Sequence, residues 1–283
     1  MSATTDPLLV AAAIPYAIAV AWIGAEVAWL ARDPGPTRRR VLRSAGTASV
    51  MAAVALVVGT LHSALLHAGW DALAALRIEP LARLWHAHPV LGAAAAFVAW
   101  DLAGWLYHLI GHRTRLGWAA HQPHHSGSDY DATLGLRQTW VPFAGLAVQP
   151  LLALAGFEWR VIVVCAAVSN GWQVLAHTSL PVRLPGAVAA VVTTPATHRH
   201  HHGRDGGDVN LGPVLTVWDR LAGTWVGPDH PAPVAYGPSA PSSSNPLTVE
   251  LAGWRELWSR AAATGSRQSF QKRCSRNGSP TAW

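Results

Sequence analysis

Apolar residues run along this chain in stretches longer than a buried helix or strand of a soluble domain requires. Leu8–Leu30, Ala45–Leu66 and Val90–Ile110 are mostly apolar, and each has the length of about 20 residues at which a helix crosses a bilayer. All three are predicted as transmembrane helices. Val141–Ala155 and Trp159–Leu175 are shorter and are separated by Gly156-Phe157-Glu158, which predicts a helical hairpin that either crosses fully or dips deeply. From Gly227 to Pro246 the chain turns Pro- and Ser-rich with no period for a packed core, and it reads as a flexible linker. Beyond it Leu247, Leu251, Trp254 and Trp258 recur at helical spacing with Arg255 and Arg260 beside them. That pattern fits either a short helix on an anionic membrane surface or a loosely ordered tail. No repeat of solenoid length is visible. A cleavable signal peptide is not expected, because the N-terminus has no positive region and Leu8–Leu30 is too long for a signal core.

Composition agrees with a membrane. Of 283 residues 51% are hydrophobic and 13% charged, where a soluble domain carries about 25% charged. Fifteen Trp beside four Phe and four Tyr suit rings at membrane interfaces. The excess of 21 Lys and Arg over 15 Asp and Glu is clustered between apolar runs, so it reads as topology and not as a nucleic-acid surface. Arg32, Arg38, Arg39, Arg40 and Arg43 lie between the first two spans, against Arg77 and Arg83 between the second and third. The N-terminus is then outside and the first loop cytoplasmic. The expected location is the inner cell membrane, crossed several times.

Histidine is the anomaly. More than half of the fifteen fall in Tyr107–His125 and Thr197–His202. His108 and His112 are four residues apart, so on a helix they share a face about 5 to 6 Å apart at Cβ. One metal ion bridges such a gap. The pattern HxxHH then occurs twice, as His121-Gln122-Pro123-His124-His125 and His198-Arg199-His200-His201-His202. On a helix its first and last rings share a face with the middle one beside it. Pro195 suits the first turn of such a helix, whereas Pro123 is uncomfortable unless a helix begins there. Crossing parity brings all these groups, and His177 at the end of the fifth apolar run, to the cytoplasmic face.

Imidazole favours transition metals or zinc over Mg or Ca, and eight or nine rings exceed the needs of one ion, so two metals are expected. Lone His62, His67, His86 and His88 read as interfacial or hydrogen-bonded side chains. With only Cys165 and Cys274, a disulfide framework, a Cys-ligated zinc site and a four-thiolate cluster are excluded by count. A ferritin-like carboxylate site is excluded too, because Glu158 is the only Glu between Glu79 and Glu250. No HExxH is present. What remains is an all-histidine dimetal site beside a bilayer.

Over about Trp100–Trp225 the chain resembles the fatty acid hydroxylase and sterol desaturase superfamily of integral-membrane di-iron enzymes. The motifs that carry this are Asp101 seven residues before His108, the HxxxH, both HxxHH groups, Asn210-Leu211-Gly212 and Trp218-Asp219-Arg220-Leu221-Ala222-Gly223-Thr224. Trp118–Gln122, His124-His125-Ser126 and Leu136-Arg137-Gln138 look most like its alkylglycerol monooxygenase branch. The resemblance implies iron ligands at His108, His112, His121, His124, His125, His198, His201 and His202, with His177 as a ninth and His200 left out. Asp101, Asp129, Asp208 and Asp219 become candidates to hold ring N–H groups of those ligands, with Asp101 and Asp219 the ones assigned to the catalytic set.

The reaction implied is hydroxylation or desaturation of a lipid or other apolar substrate, using dioxygen, two irons per chain and external electrons. The donor would be a reductase or ferredoxin-type partner or a reduced pterin; no nucleic acid is expected as partner. The expected fold is all-α, a polytopic bundle of about four to five membrane helices under a cytoplasmic histidine-rich helical cap. Residues 1–88 form N-terminal membrane helices, 89–226 the catalytic domain, and 227–283 a linker and basic tail. Two other readings stay open: a zinc-dependent membrane hydrolase with a metal-bound water as nucleophile, and a non-catalytic metal-binding or transport protein. The latter would be expected to line its spans with ionisable or sulfur side chains, and few occur there, Glu26, Asp101 and Cys165 among them.

Overall fold

A computed structural model describes residues 6–32, 34–141, 143–204, 206–238 and 243–262. They form helices α1 (Pro7–Leu30), α2 (Pro36–Ala74), α3 (Glu79–Ala87), α4 (Pro89–Arg113), α5 (Arg115–His121), α6 (Phe143–Leu154), α7 (Trp159–Ala176), α8 (Gly186–Ala189), α9 (Pro195–His202), α10 (Val217–Ala222) and α11 (Pro246–Ala262), with a 3₁₀ turn at Ala132–Leu136. Among the described residues there is no strand beyond two isolated bridges, Val192 with Leu215 and Gly203 with Tyr236. The protein is an all-α membrane protein.

Helices α1, α2, α4 and α7 are long and apolar enough to span a bilayer. Most of their apolar surface faces no protein. Only 11% of the apolar window of α2 is buried, against 39% for α7, so α7 is central and α2 peripheral. Asp6 caps α1 by accepting from the Leu8 N–H ahead of Pro7 at the first turn. The helix then runs parallel to α7. At one end Asp6 pairs with Arg160 (2.6 Å). At the other, Glu26, 1% exposed, accepts from the Ser179 N–H (2.8 Å), the Ser179 hydroxyl (2.7 Å) and the Thr178 hydroxyl. A carboxylate inside a span is costly unless satisfied in this way.

Two expectations are corrected, and one left open is filled in. Residues 36–44 continue α2 as helix, because Pro36 opens a helix and the Arg-rich stretch carries no breaker. The hairpin is unequal: α6 has 12 residues, about 18 Å at 1.5 Å per residue, shorter than the hydrocarbon core. Its end nevertheless reaches the far side of the bundle, where Leu154 accepts from the Ile78 N–H (2.8 Å) and Ala155 from the Trp85 indole (3.0 Å). There it packs with Trp70, Ala96, Phe157 and Ile162. The linker, third, is held at residues 236–238, where Arg204 donates to the carbonyls of Tyr236, Gly237 and Pro238 (3.1, 3.1 and 3.2 Å). A guanidinium fork fixes a segment that has no hydrophobic period of its own. Cys274 lies outside the described residues.

The C-terminal segment does form a helix, and it docks on α5. A Cβ at Gly253 would lie 2.4 Å from the Ala119 carbonyl oxygen, so only glycine lets the two backbones approach this closely. Glu250 accepts from the Thr139 hydroxyl (3.0 Å) and the Trp140 N–H (3.2 Å).

Candidate metal centre

The ends of α4 and α7, the turn after α5, and α9 meet at one end of the bundle. Each element has a local reason for its shape. Thr194 caps α9 in a capping box with Thr197, and Pro195 takes the first turn. The helix is therefore set from its first residue, and it carries His198, His201 and His202 inward. The first HxxHH differs from the helical expectation. Helix α5 stops at His121, and His124 and His125 are held by turns in which their N–H groups donate to the carbonyls of His121 and Gln122 (both 3.0 Å). Pro123 has no N–H to donate to the preceding turn, so the helical ladder stops there.

The rings form two groups. His108, His112, His121, His125 and His201 make one, and His124, His177, His198 and His202 the other; within each group the candidate ligand atoms all lie within 4.8 Å of one another. All nine histidines singled out by sequence are thus brought together. Both HxxHH motifs divide the same way: the first and last rings enter one group and the middle ligand crosses to the other. The groups abut, with His125 stacked on His202 at 4.4 Å between ring centres and His201 5.0 Å from His202. Gly111 matters here, since a Cβ at that position would lie 3.3 Å from the His121 ring.

The donor chemistry fits metal ions. His108 donates from Nδ1 to the Leu211 carbonyl (2.8 Å), His201 to the Val209 carbonyl (3.0 Å) and His177 to the Gln173 carbonyl (2.5 Å). With Nδ1 protonated, each Nε2 is a bare lone pair. The Nε2 atoms of His108, His112 and His201 find no hydrogen-bond partner among the described residues. A buried polar atom in that state costs about 1–3 kcal/mol. In the second group the Nε2 of His177 lies 3.1 Å from that of His124, 2.9 Å from that of His202 and 3.1 Å from that of His198. Bare acceptors so close repel one another unless a cation sits among them. Ligand nitrogens about 2.0–2.1 Å from an ion, the usual range for imidazole on zinc, lie about 3 Å apart when set at right angles.

Burial holds the imidazoles of His121, His124, His125, His198, His201 and His202 well below the ordinary range, and His177 down to about 4. They are neutral at physiological pH, the form that binds a metal.

The four aspartates sit differently from one another. The Asp208 carboxylate lies 3.4 Å from His112 Nδ1 and 2.5 Å from Arg113 Nε, and the hydrogen bond from His112 keeps its pKa low. Asp129 faces Ser128 and Arg40. Asp101 accepts from the Val214 and Leu215 N–H groups (3.0 and 3.2 Å) and the Trp218 indole (2.8 Å). Asp219 accepts from the Leu211 and Gly212 N–H groups (2.9 and 2.7 Å) and the Thr224 hydroxyl (2.7 Å). Among the described residues neither Asp101 nor Asp219 bonds a histidine ring, which corrects the expectation that they hold ligand N–H groups. They fix the loop 211–218, and it is the Leu211 carbonyl of that loop that meets His108.

Sequence reasoning missed other parts. Asn210 adopts a left-handed backbone (φ 52) and ties α9 to the following loop, its amide donating to the Thr197 and Val226 carbonyls and its carbonyl accepting from the Val226 N–H. The Tyr130 ring stacks on His177 (6.0 Å) and its hydroxyl donates to the Ala176 carbonyl (2.6 Å). The Asn-Leu-Gly motif was a signal for the first; nothing in the spacing marked Tyr130. His200 stands outside both groups, against His230 (5.3 Å). His67 stacks on Trp159 at the far end of the bundle (5.5 Å).

Residues 93–224 match the family described as fatty acid hydroxylase. The chain is similar to alkylglycerol monooxygenase of Xenopus tropicalis, 31% identical over 173 residues that cover 59% of this chain and 38% of the relative. The same enzyme of Homo sapiens is 28% identical over 182 residues, 60% of this chain and 38% of the relative. Ornithine lipid hydroxylase OlsE of Rhizobium tropici is 28% identical over 137 residues, covering 47% and 41%. The chain thus spans about two fifths of the length of these relatives. No solved structure matches it.

Proposed function

Through residues 93–224 the chain is a member of the fatty acid hydroxylase superfamily, with its likeness on the alkylglycerol monooxygenase side, and from this premise we propose that it is a di-iron membrane monooxygenase acting on a lipid. The balanced reaction is R–H + O₂ + 2e⁻ + 2H⁺ → R–OH + H₂O, with the electrons from a separate reductase, ferredoxin-type protein or small reductant. One observation carries the reading: nine imidazoles in two abutting groups, four of them braced at Nδ1, with the Nε2 atoms of His108, His112 and His201 buried and bare. When bound, the two irons supply the oxygen reduction and C–H oxidation that side chains cannot perform.

The chain's own residues do the rest. His108, His112, His121, His125 and His201 hold one iron, and His124, His177, His198 and His202 the other. The carbonyls of Leu211, Val209 and Gln173 and the Asp208 carboxylate fix which ring nitrogen carries the proton. Asp101 and Asp219 act one step further out, holding the loop that presents the Leu211 carbonyl. Burial of the rings excludes water, and the position at the ends of α4 and α7 lets an apolar chain approach from the bilayer. Insertion of oxygen is favoured over desaturation because the named relatives are a monooxygenase and a hydroxylase.

In this reading residues 89–226 are the catalytic unit, with 1–88 anchoring it. The centre faces the cytoplasm, since the Arg-rich start of α2 lies at the histidine end, where Arg137 bonds Ser44 (3.1 Å). The test uses membranes containing the protein, a reductant and ¹⁸O₂. The product lipid is expected to carry one labelled oxygen. Label arriving from water without need of reductant would replace this reading with hydrolysis.

A further inference from the structure

We infer that α11 is an in-plane membrane anchor, its outward stripe of Leu247, Leu251, Trp254 and Trp258 seated at the headgroup–acyl boundary of the leaflet on the histidine side. The inference needs only that the protein sits in a membrane; it does not depend on the metals or the reaction. Helix α11 has two faces with different fates. Val249, Glu250 and Gly253 are buried against the protein. The stripe is displaced round the helix from that face: its ends, Leu247 and Trp258, are 54% and 71% exposed, while Leu251 and Trp254 between them are half-buried and the Trp254 side chain bonds Glu250.

Depth comes from α2. Its last arginine, Arg43, marks the headgroup level, and Thr47 and Met51 lie one and two turns further in, about 6 and 12 Å along the helix. The start of α11 is fastened at that depth. The Thr47 hydroxyl donates to the Ser244 carbonyl (2.7 Å). The Trp140 indole donates to the Met51 carbonyl (3.3 Å) while the Trp140 N–H holds Glu250. An interfacial helix buries its apolar face about 5–10 Å into this boundary. Tryptophan is the ring such a position favours, and exposed Arg255 beside the stripe complements lipid phosphate. The occupant of the stripe is therefore bilayer lipid, continuous with the lipid that surrounds α2.

The test places a spin label on the full chain in nanodiscs of phosphatidylcholine and phosphatidylglycerol, in a Cys165→Ala, Cys274→Ser background. Trp258→Cys reports the stripe, and Ala252→Cys, exposed about a third of a turn away, reports the flank off the stripe. The ratio of collisions with oxygen to collisions with a water-soluble nickel chelate is expected to be several-fold higher at 258 than at 252. A ratio at 258 equal to or below that at 252 overturns the proposal, because the stripe then faces water. Leu247→Cys at the other end repeats the reading and decides it if the change at 258 disturbs the fold.

Discussion

Four imidazoles of the centre, His108, His112, His177 and His201, have a partner at Nδ1, so the residues that set the metal site extend beyond the ligands. Asp101 shows how far. Its two oxygens accept three N–H groups, and an asparagine there turns an NH₂ toward a donor, loosening the loop that carries Leu211. Asp101→Asn is expected to leave the protein folded but lower iron affinity roughly 10- to 100-fold, the usual effect of losing such an outer partner. A metal titration checks this, and unchanged affinity would reduce Asp101 to packing. Eight ligand histidines were legible from spacing, because i, i+3 and i+4 offsets put rings together on any helical turn, whereas His177 stands outside those motifs and entered through the family resemblance. Their supports were not, because most are backbone carbonyls, which leave no residue type to read.

Among the elements, the long apolar helices were legible because bilayer thickness imposes a length. The short ones were decided by local breakers and by docking. Pro123 ended α5 where a helical HxxHH was expected, and a single arginine, Arg204, holds residues 236–238 of a linker whose composition suggested freedom. Helix α11 shows the same limit. Its periodicity was visible, but its seat on α5 depends on Gly253 meeting Ala119. Gly→Ala in an open helix stabilises by about 1 kcal/mol. At Gly253 the sign is expected to reverse, with overpacking costing about 1–3 kcal/mol, while Gly46→Ala, where a Cβ meets nothing within 4 Å, serves as the open control. Thermal unfolding in detergent compares them. A Gly253→Ala protein as stable as the Gly46→Ala control would mean that α11 is not packed as described.

For the whole molecule, a one-sided site requires that chain segments far apart in sequence emerge on the same face. Labels at Pro36, Ser126 and Gly206 are expected to react from the cytoplasm, and one at Asp71 from the outside. Finding Ser126 and Gly206 on opposite faces would separate histidines that the fold places in contact. The central claim is that the two ring groups hold two metal ions, and iron analysis of protein purified from iron-replete cells tests it most directly. The account predicts about two irons per chain, a clear drop in His125→Ala and His201→Ala, and no change in His67→Ala, which sits at the far end of the bundle. Full iron content in the first two variants, or an iron-free wild type, would contradict it.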